Sequence, residues 1–329
     1  MSEKIRWGIL APGAIARKFA VGLLSIPDAE PAAVASRSLE RAQAFAKEFH
    51  FKRAYGSYEE LARDPEVDAV YVASPHAFHC EHSLLCVKEG KAVLCEKPFT
   101  LNAIQLERLI AAARGNRVPL LEAMWTRFLP VMVKTREWIR EGRIGKPRLV
   151  VADFGFAANF NPQGRHFDPA LGGGGLLDVG VYPLSLASMV YGGAMPDRVQ
   201  GLADIGSTGV DEQAIMTLGY GPERLASLGC AVRTAMPQAG RIIGSEGAIE
   251  FAPPFWKTTK ATLVSPGAEP EIFEQAHQAN GYEYEAMELM RMIRGDLLES
   301  PDLTHAESMN VMRTMDLLRR QWGVRYPGE

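Results

Sequence analysis

Glu96-Lys97-Pro98 closes an apolar run, Ala92-Val93-Leu94-Cys95, that reads as a buried strand. A lysine at the carboxyl end of a parallel strand stands where open α/β sheets bind their ligands. Glu96 can accept charge and Pro98 restricts the backbone, so the Lys97 amine is aimed rather than floppy. Downstream, Gly172-Gly173-Gly174-Gly175 leads into Leu176-Leu177-Asp178-Val179-Gly180-Val181-Tyr182. Asp178 and Tyr182 are spaced i, i+4 and project from one helical face. A tyrosine serves as general acid or base when a nearby cation lowers its pKa, and Lys97 is the obvious cation. Taken singly, each feature has a plain structural reading: a solvated loop lysine, and an amphipathic helix after a glycine loop.

The first strand and first helix are joined by Gly8-Ile9-Leu10-Ala11-Pro12-Gly13-Ala14-Ile15-Ala16, a degenerate dinucleotide fingerprint. Ala11 stands at the first glycine position, Gly13 at the second and Ala16 at the third. At Gly13 the missing Cβ lets the backbone approach a pyrophosphate, and the helix that starts at Ala14 and Ile15 points its N–H groups at the anion. The second strand ends Ala35-Ser36-Arg37-Ser38, with Arg41 one turn on. An NAD site usually has Asp or Glu there for the ribose 2′-hydroxyl. Ser36, Arg37 and Arg41 suit a 2′-phosphate instead, which favours NADP over NAD. The strand Ala69–Ala73 is followed by Ser74-Pro75-His76-Ala77-Phe78-His79-Cys80-Glu81-His82. Spacings of three residues fan the histidines around a helix, and no zinc-binding pattern is present, so no metal site is expected. Ser74, Pro75 and His76 fall toward the nicotinamide end of the cofactor groove. His79 reads as a helix-start polar residue there, and His82 as structural or exposed.

The elements that must hold these groups follow from patterning. Residues 1–125 alternate short apolar runs with amphipathic stretches, and Ser57 caps a short helix over Tyr58–Arg63. That alternation marks βαβ units and a parallel sheet covered on both faces. After residue 125 the pattern changes. Pro130–Glu141 and Leu176–Tyr191 read as helices, and Arg148–Phe156 alternates as a half-buried strand. Short strand-like runs from Arg198 to about Thr262 suggest a mostly antiparallel sheet in an α+β domain over 126–329. Two amphipathic helices, Tyr284–Arg294 and Leu303–Trp322, close the chain, and the second is available to pack back on the first domain.

At 329 residues the chain exceeds the size at which single cores usually stop growing. A net charge of −3 gives no electrostatic reason to expect nucleic acid or a membrane surface as partner. No uninterrupted apolar run is long enough to suggest a spanning helix. The start, Met1-Ser2-Glu3-Lys4, offers no signal-peptide core. Cys80, Cys86, Cys95 and Cys230 form no CxxC pair, which reads as reduced thiols in a cytoplasm.

Glu96-Lys97-Pro98, the N-terminal loop and Asp178-x-Gly-x-Tyr182 together resemble the glucose-fructose oxidoreductase/inositol dehydrogenase (Gfo/Idh/MocA) family. The resemblance runs essentially end to end. It includes Tyr55-Gly56-Ser57-Tyr58-Glu59-Glu60-Leu61 and Glu122-Ala123-Met124-Trp125-Thr126-Arg127-Phe128, and is strongest with a branch acting on sugars and cyclic diols. The inositol dehydrogenase branch carries His where this chain has Tyr182. The resemblance implies a Rossmann domain, a C-terminal domain with an open sheet, NADP, and hydride transfer at a sugar, polyol or diol carbon. It also implies a cis Lys97-Pro98 peptide. Tyr182 is then the expected acid/base. Lys97 would hold the substrate oxygen, and Asp178 would bind a second hydroxyl or orient the pair. Glu96, Lys97, Trp125 and Arg127 would border the cofactor and substrate pocket, interdomain packing being the alternative for Trp125. Ala11-Pro12 departs from the Gly-x pair of many members, and Asn159–Phe167 has no recognisable match, so the substrate does not carry over. A homodimer or larger assembly is expected through the second sheet's outer face. The rival readings are a ketose or anhydro-sugar reductase and a non-catalytic nucleotide-binding sensor.

Overall fold

The computed structural model describes residues 4–329; Met1-Ser2-Glu3, with the leader reading made on them, lie outside the described residues. The chain starts β1 (Ile5–Leu10), α1 (Ala14–Leu23), β2 (Ala29–Ala35), α2 (Leu39–Phe49), β3 (Arg53–Tyr55) and α3 (Tyr58–Arg63). It continues β4 (Ala69–Val72), α4 (His79–Lys88), β5 (Ala92–Glu96), α5 (Ala103–Asn116) and β6 (Leu120–Ala123). The six strands form one sheet in the order β3-β2-β1-β4-β5-β6. Every pairing in it is parallel. The order reverses between β1 and β4, the switch point outside whose carboxyl ends such sheets bind ligands. All residues of β4 and β5 are buried, as strands covered on both faces must be. Phe19 of α1 stacks on Tyr71 of β4 at 3.8 Å between ring centroids and tilts against Trp7 at 5.5 Å, which fixes α1 over the sheet. The expected cap on α3 is a full capping box: Ser57 Oγ accepts from the Glu60 N–H (3.3 Å), and the Glu60 carboxylate accepts from the Ser57 N–H (3.1 Å).

The second compact unit begins at Thr126 with α6 (Pro130–Arg140), β7 (Pro147–Gly155) and α7 (Val181–Val190). Then come β8 (Arg198–Ile205), β9 (Asp211–Gly219), β10 (Leu225–Ala231), β11 (Gly240–Gly244), β12 (Ala248–Phe251), β13 (Lys260–Val264) and β14 (Glu271–Glu274). These strands make an open eight-stranded sheet in the order β14-β13-β12-β11-β7-β10-β9-β8. Only β7 and β10 pair in parallel; the other neighbours are antiparallel. Every residue of α7 is buried, because the helix lies on β7 and β10. Pro169–Val190 is long and apolar enough to cross a membrane by length and composition, which the sequence reading did not expect. Residues 172–190 of it are all buried inside this unit, so its apolar content serves the core.

The closing helices differ from expectation in their allegiance. Gln278–His305, with α8 (Glu283–Arg294), belongs to the first unit, where α8 packs on β5, β6 and α1. Asn280 Nδ2 donates to Lys18 O (2.8 Å), and Arg294 pairs with Asp28 (2.6 Å), tying α8's flanks to that unit. The last helix, α9 (His305–Trp322), belongs from Ala306 onward to the second unit, with the residues that follow it.

Candidate active site

Ala11 sits at φ 67°, the left-handed region that glycine favours, which accounts for the glycine at this point of the usual fingerprint. Its N–H donates to Ala35 O (3.0 Å), and the Gly13 N–H donates back to Ala11 O (2.8 Å), closing a tight turn. A Cβ at Gly13 would meet no protein atom within 4 Å, so this side of the loop is open. Gly13 caps α1 without a side-chain hydrogen bond, which leaves first-turn N–H groups beside exposed Ala14 and half-buried Ile15 available to an anion. At the end of β2, Ser36 is buried; its N–H donates to Tyr55 O (3.2 Å) and its hydroxyl accepts from the Ser38 N–H (3.3 Å). Arg37 and Arg41 are both exposed, Arg37 beside the Tyr58 phenol and Arg41 in the first turn of α2. An open phosphate turn next to two exposed guanidiniums fits a dinucleotide carrying a 2′-phosphate.

Lys97 follows β5 and is half-buried. Its peptide to Pro98 is cis, as the resemblance implies. The loop is pinned from several elements. Glu96 turns inward, accepting from the Tyr71 hydroxyl and from the Lys97 N–H (3.1 Å). Glu122 of β6 accepts from the Phe99 N–H (3.2 Å). His79 meets Pro98 O through Nδ1 at 2.7 Å and Ser74 O through Nε2 at 2.8 Å. The Lys97 backbone is therefore set by side chains from β4, β5, β6 and α4.

This changes the role of His79. It was expected at the cofactor, but it is fully buried with both ring nitrogens against backbone carbonyls, so it braces the Ser74 and Pro98 segments. Burial pulls its pKa down to about 4, against the pull of the two carbonyls, so the neutral ring donates to one of them. His76, in a short 3-10 turn after exposed Pro75, is buried with its ring 5.6 Å from that of His79. His82 is half-buried, with Phe78 stacked on it at 5.8 Å and Tyr58 edge-on at 4.7 Å.

In the second unit, Asp178 lies on a π-helical turn, Leu176–Gly180, that runs directly into α7 and Tyr182. Such turns widen a helix by one residue and recur at functional sites. A single α-helix over Leu176–Tyr191 was expected, so the wide turn is a difference. Asp178 is 3% exposed; its Oδ1 accepts from Arg165 Nη1 (2.9 Å), and its Oδ2 is 3.6 Å from His166 Nε2. Tyr182 has Phe154 of β7 edge-on at 5.2 Å, and Trp256 stacks flat on Phe154 at 4.7 Å and 6°. Trp256 is anchored through Nε1–H to Gln238 Oε1 (2.9 Å). The result is a flat apolar wall beside a phenol, next to a carboxylate paired with a guanidinium.

Two further expectations change. Arg127, expected at the cofactor pocket, is 4% exposed and bonded to Glu307 of α9 (Nη2 to Oε2, 3.2 Å), while Ser188 Oγ also donates to Glu307 (2.9 Å). Removing one partner of such a buried pair typically costs about 3–5 kcal/mol, so the pair is part of the second unit's framework. Trp125 is 2% exposed and stacks on Tyr282 at 4.3 Å, inside the first unit. Arg165, His166, Phe154 and Trp256 were not singled out. Arg165-His166 carried the one available signal, two basic residues just before the glycine loop.

Residues 5–123 match the oxidoreductase family with an NAD-binding Rossmann fold, Gfo/Idh/MocA, and residues 132–250 match the C-terminal domain of that family. Curated relatives include trans-1,2-dihydrobenzene-1,2-diol dehydrogenases from Danio rerio, 39% identical over 98% of both chains, and from Homo sapiens, 34% identical over the same shares. Among solved structures, a 3-ketoreductase from Actinomadura kijaniata in complex with NADP and TDP-benzene aligns with a TM-score of 0.83. It is 26% identical, over 97% of this chain and 98% of that one. Levoglucosan dehydrogenase shares the fold at a TM-score of 0.88, with 16% identity over 98% of both. With its parallel dinucleotide sheet, its open antiparallel sheet and both family domains matched, the chain belongs to the Gfo/Idh/MocA family of oxidoreductases.

Proposed function

We propose that this protein is an NADP-dependent dehydrogenase acting on a carbinol carbon of a cyclic diol, pyranose sugar or related polyol. The observation that carries the reading is the grouping in the second unit. A flat Phe154–Trp256 wall beside Tyr182 suits the apolar face of a ring, and Asp178 with Arg165 suits the hydroxyls on its rim. The diol dehydrogenases matched over nearly the whole chain support the substrate class. Ala11, Gly13, Ala14 and Ile15 would hold the pyrophosphate, and Ser36, Arg37 and Arg41 the 2′-phosphate. Ser74, Pro75, His76, Glu96 and Lys97 would border the nicotinamide. When bound, NADP supplies the hydride acceptor. Tyr182 takes the hydroxyl proton of the substrate and returns it in the reverse direction. Lys97 holds that oxygen and stabilises the phenolate, since a free phenol near pKa 10 is a poor base at pH 7. Asp178 binds a second hydroxyl.

The same groups reduce a ketone when run backwards, and the 3-ketoreductase among the structural relatives favours keeping that direction in view. The outer face of the second sheet, with exposed Leu202 of β8 opposite exposed Ile215 of β9, is proposed as a self-association surface.

The test is NADPH absorbance with a panel of trans-diols, sugars and their ketones, using Tyr182→Phe, Lys97→Met and the double variant. General acid/base groups contribute about 10²–10⁴ in rate, so each single variant should lose at least about a hundredfold in turnover. The double should be little worse, because groups acting as one unit are strongly non-additive. Retention of more than about a tenth of turnover by Tyr182→Phe would move the role to His76 or Asp178. No turnover by the unaltered protein on any of the panel, with tight NADP binding, would favour a sensor.

A further inference from the structure

Gly173 and Gly174 are held by two buried side chains from distant parts of the second unit. Tyr326, four residues beyond α9 and 3% exposed, donates its hydroxyl to Gly173 O (2.6 Å). Asp211, at the start of β9 and fully buried, accepts from the Leu176 N–H through Oδ2 (2.6 Å). Gly174 has φ +116°, and a Cβ there would lie 2.5 Å from Asp211 Oδ1, so the backbone and the carboxylate are pressed together. The loop is tied in turn to the site. The Gly174 N–H donates to His166 O (2.9 Å), and the Asp178 N–H donates to Gly174 O (3.2 Å). Tyr326 is itself locked, with the Arg319 guanidinium 4.8 Å over its ring and bonded to Asp316 (2.8 Å) and Glu329 (2.8 Å).

We propose that Asp211 and Tyr326 are positioning residues that clamp the glycine loop and thereby fix the turn presenting Asp178 and Tyr182. Tyr326 sets the carbonyl end of the loop and Asp211 its exit into the π-helical turn. Between them lie the glycines that would otherwise leave the turn loose. Burial raises the Asp211 pKa to about 7, against the Leu176 and Gly175 N–H groups and Arg319. The titratable side chains facing it are Arg319 of α9, Tyr326 of the closing segment and Cys230 of β10. An uncharged amide should therefore replace the acid and still accept from Leu176.

The catalytic part rests on the roles proposed for Asp178 and Tyr182, so the test reads loop order and turnover separately. Hydrogen–deuterium exchange of peptides over 172–182 is followed by mass spectrometry in the full-length chain, with kcat and KM measured beside it. Tyr326→Phe and Asp211→Ala should speed exchange there about two- to tenfold, the worth of one neutral hydrogen bond. Peptides from residues 5–123 should be unchanged. Turnover should fall between about five- and a hundredfold, with KM for NADP within about twofold, since misplacement near the chemistry costs rate rather than cofactor affinity. Asp211→Asn should restore slow exchange and turnover. Unchanged exchange in both Tyr326→Phe and Asp211→Ala overturns the clamp, as does faster exchange with full kcat. Tyr182→Phe is assayed alongside. If it keeps turnover, the role given to Tyr182 falls and the exchange result alone decides the clamp.

Discussion

The preference for NADP is proposed to rest on single side chains. Arg37, just past β2, and Arg41, in the first turn of α2, are exposed, and the residue that follows the strand is Ser36 rather than an acid. Arg37→Asp should weaken NADP about ten- to a hundredfold and shift relative preference to NAD, since charge-assisted contacts are worth about 1.5–3 kcal/mol. Comparing kcat/KM for the two cofactors in both proteins checks this; equal constants in the unaltered protein would remove the basis for it. The same scale explains His79. A polar residue at a helix start reads as a ligand contact, but burial makes it a brace for the lysine loop. Arg127 changes role for a similar reason, because its partner Glu307 lies 180 residues away in sequence.

Among the elements, α8 packs on β5, β6 and α1 of the first unit, and it carries an unusual acid. Glu283 caps three backbone N–H groups, those of Ala279, Asn280 and Gly281. Glu285, fully buried, has no hydrogen-bond partner among the described residues. Burial, together with the charges of Glu96 and Glu283, pushes its pKa well above the usual carboxylate range. The folded chain then keeps a proton that the unfolded chain loses above about pH 4.5. Its contribution is therefore full below that pH and shrinks as pH rises toward the folded value. Glu285→Gln keeps the shape and removes the titration. Its Tm relative to the unaltered protein should climb steadily between pH 5 and pH 9. A pH-independent difference would show that Glu285 is ionised in the folded state.

At the scale of the molecule, exposed Leu202 and Ile215, opposite each other on β8 and β9, carry the proposed self-association surface. Leu202→Glu should lower the mass measured by light scattering to that of one chain, with the melting temperature little changed, since Leu202 is 84% exposed. An unchanged mass on substitution, or a mass of one chain for the unaltered protein, would remove the proposal that this face self-associates. Local order was legible in the sequence. The βαβ alternation, the Ser57 cap, the glycine turn at Gly13 and Lys97 at a strand end all depend on residues a few positions apart, where periodicity and turn chemistry act. The short strand β3 and the edge strand β14 were not resolved by pattern, because runs of three or four residues carry little periodicity. What only the tertiary structure decided is what touches what. Trp256 meets Phe154 across about a hundred residues of chain, α8 rather than the last helix joins the first unit, and Asp211 and Tyr326 converge on one glycine loop. Those contacts are chosen by packing and by satisfying buried polar groups over the whole fold, and no local pattern encodes them.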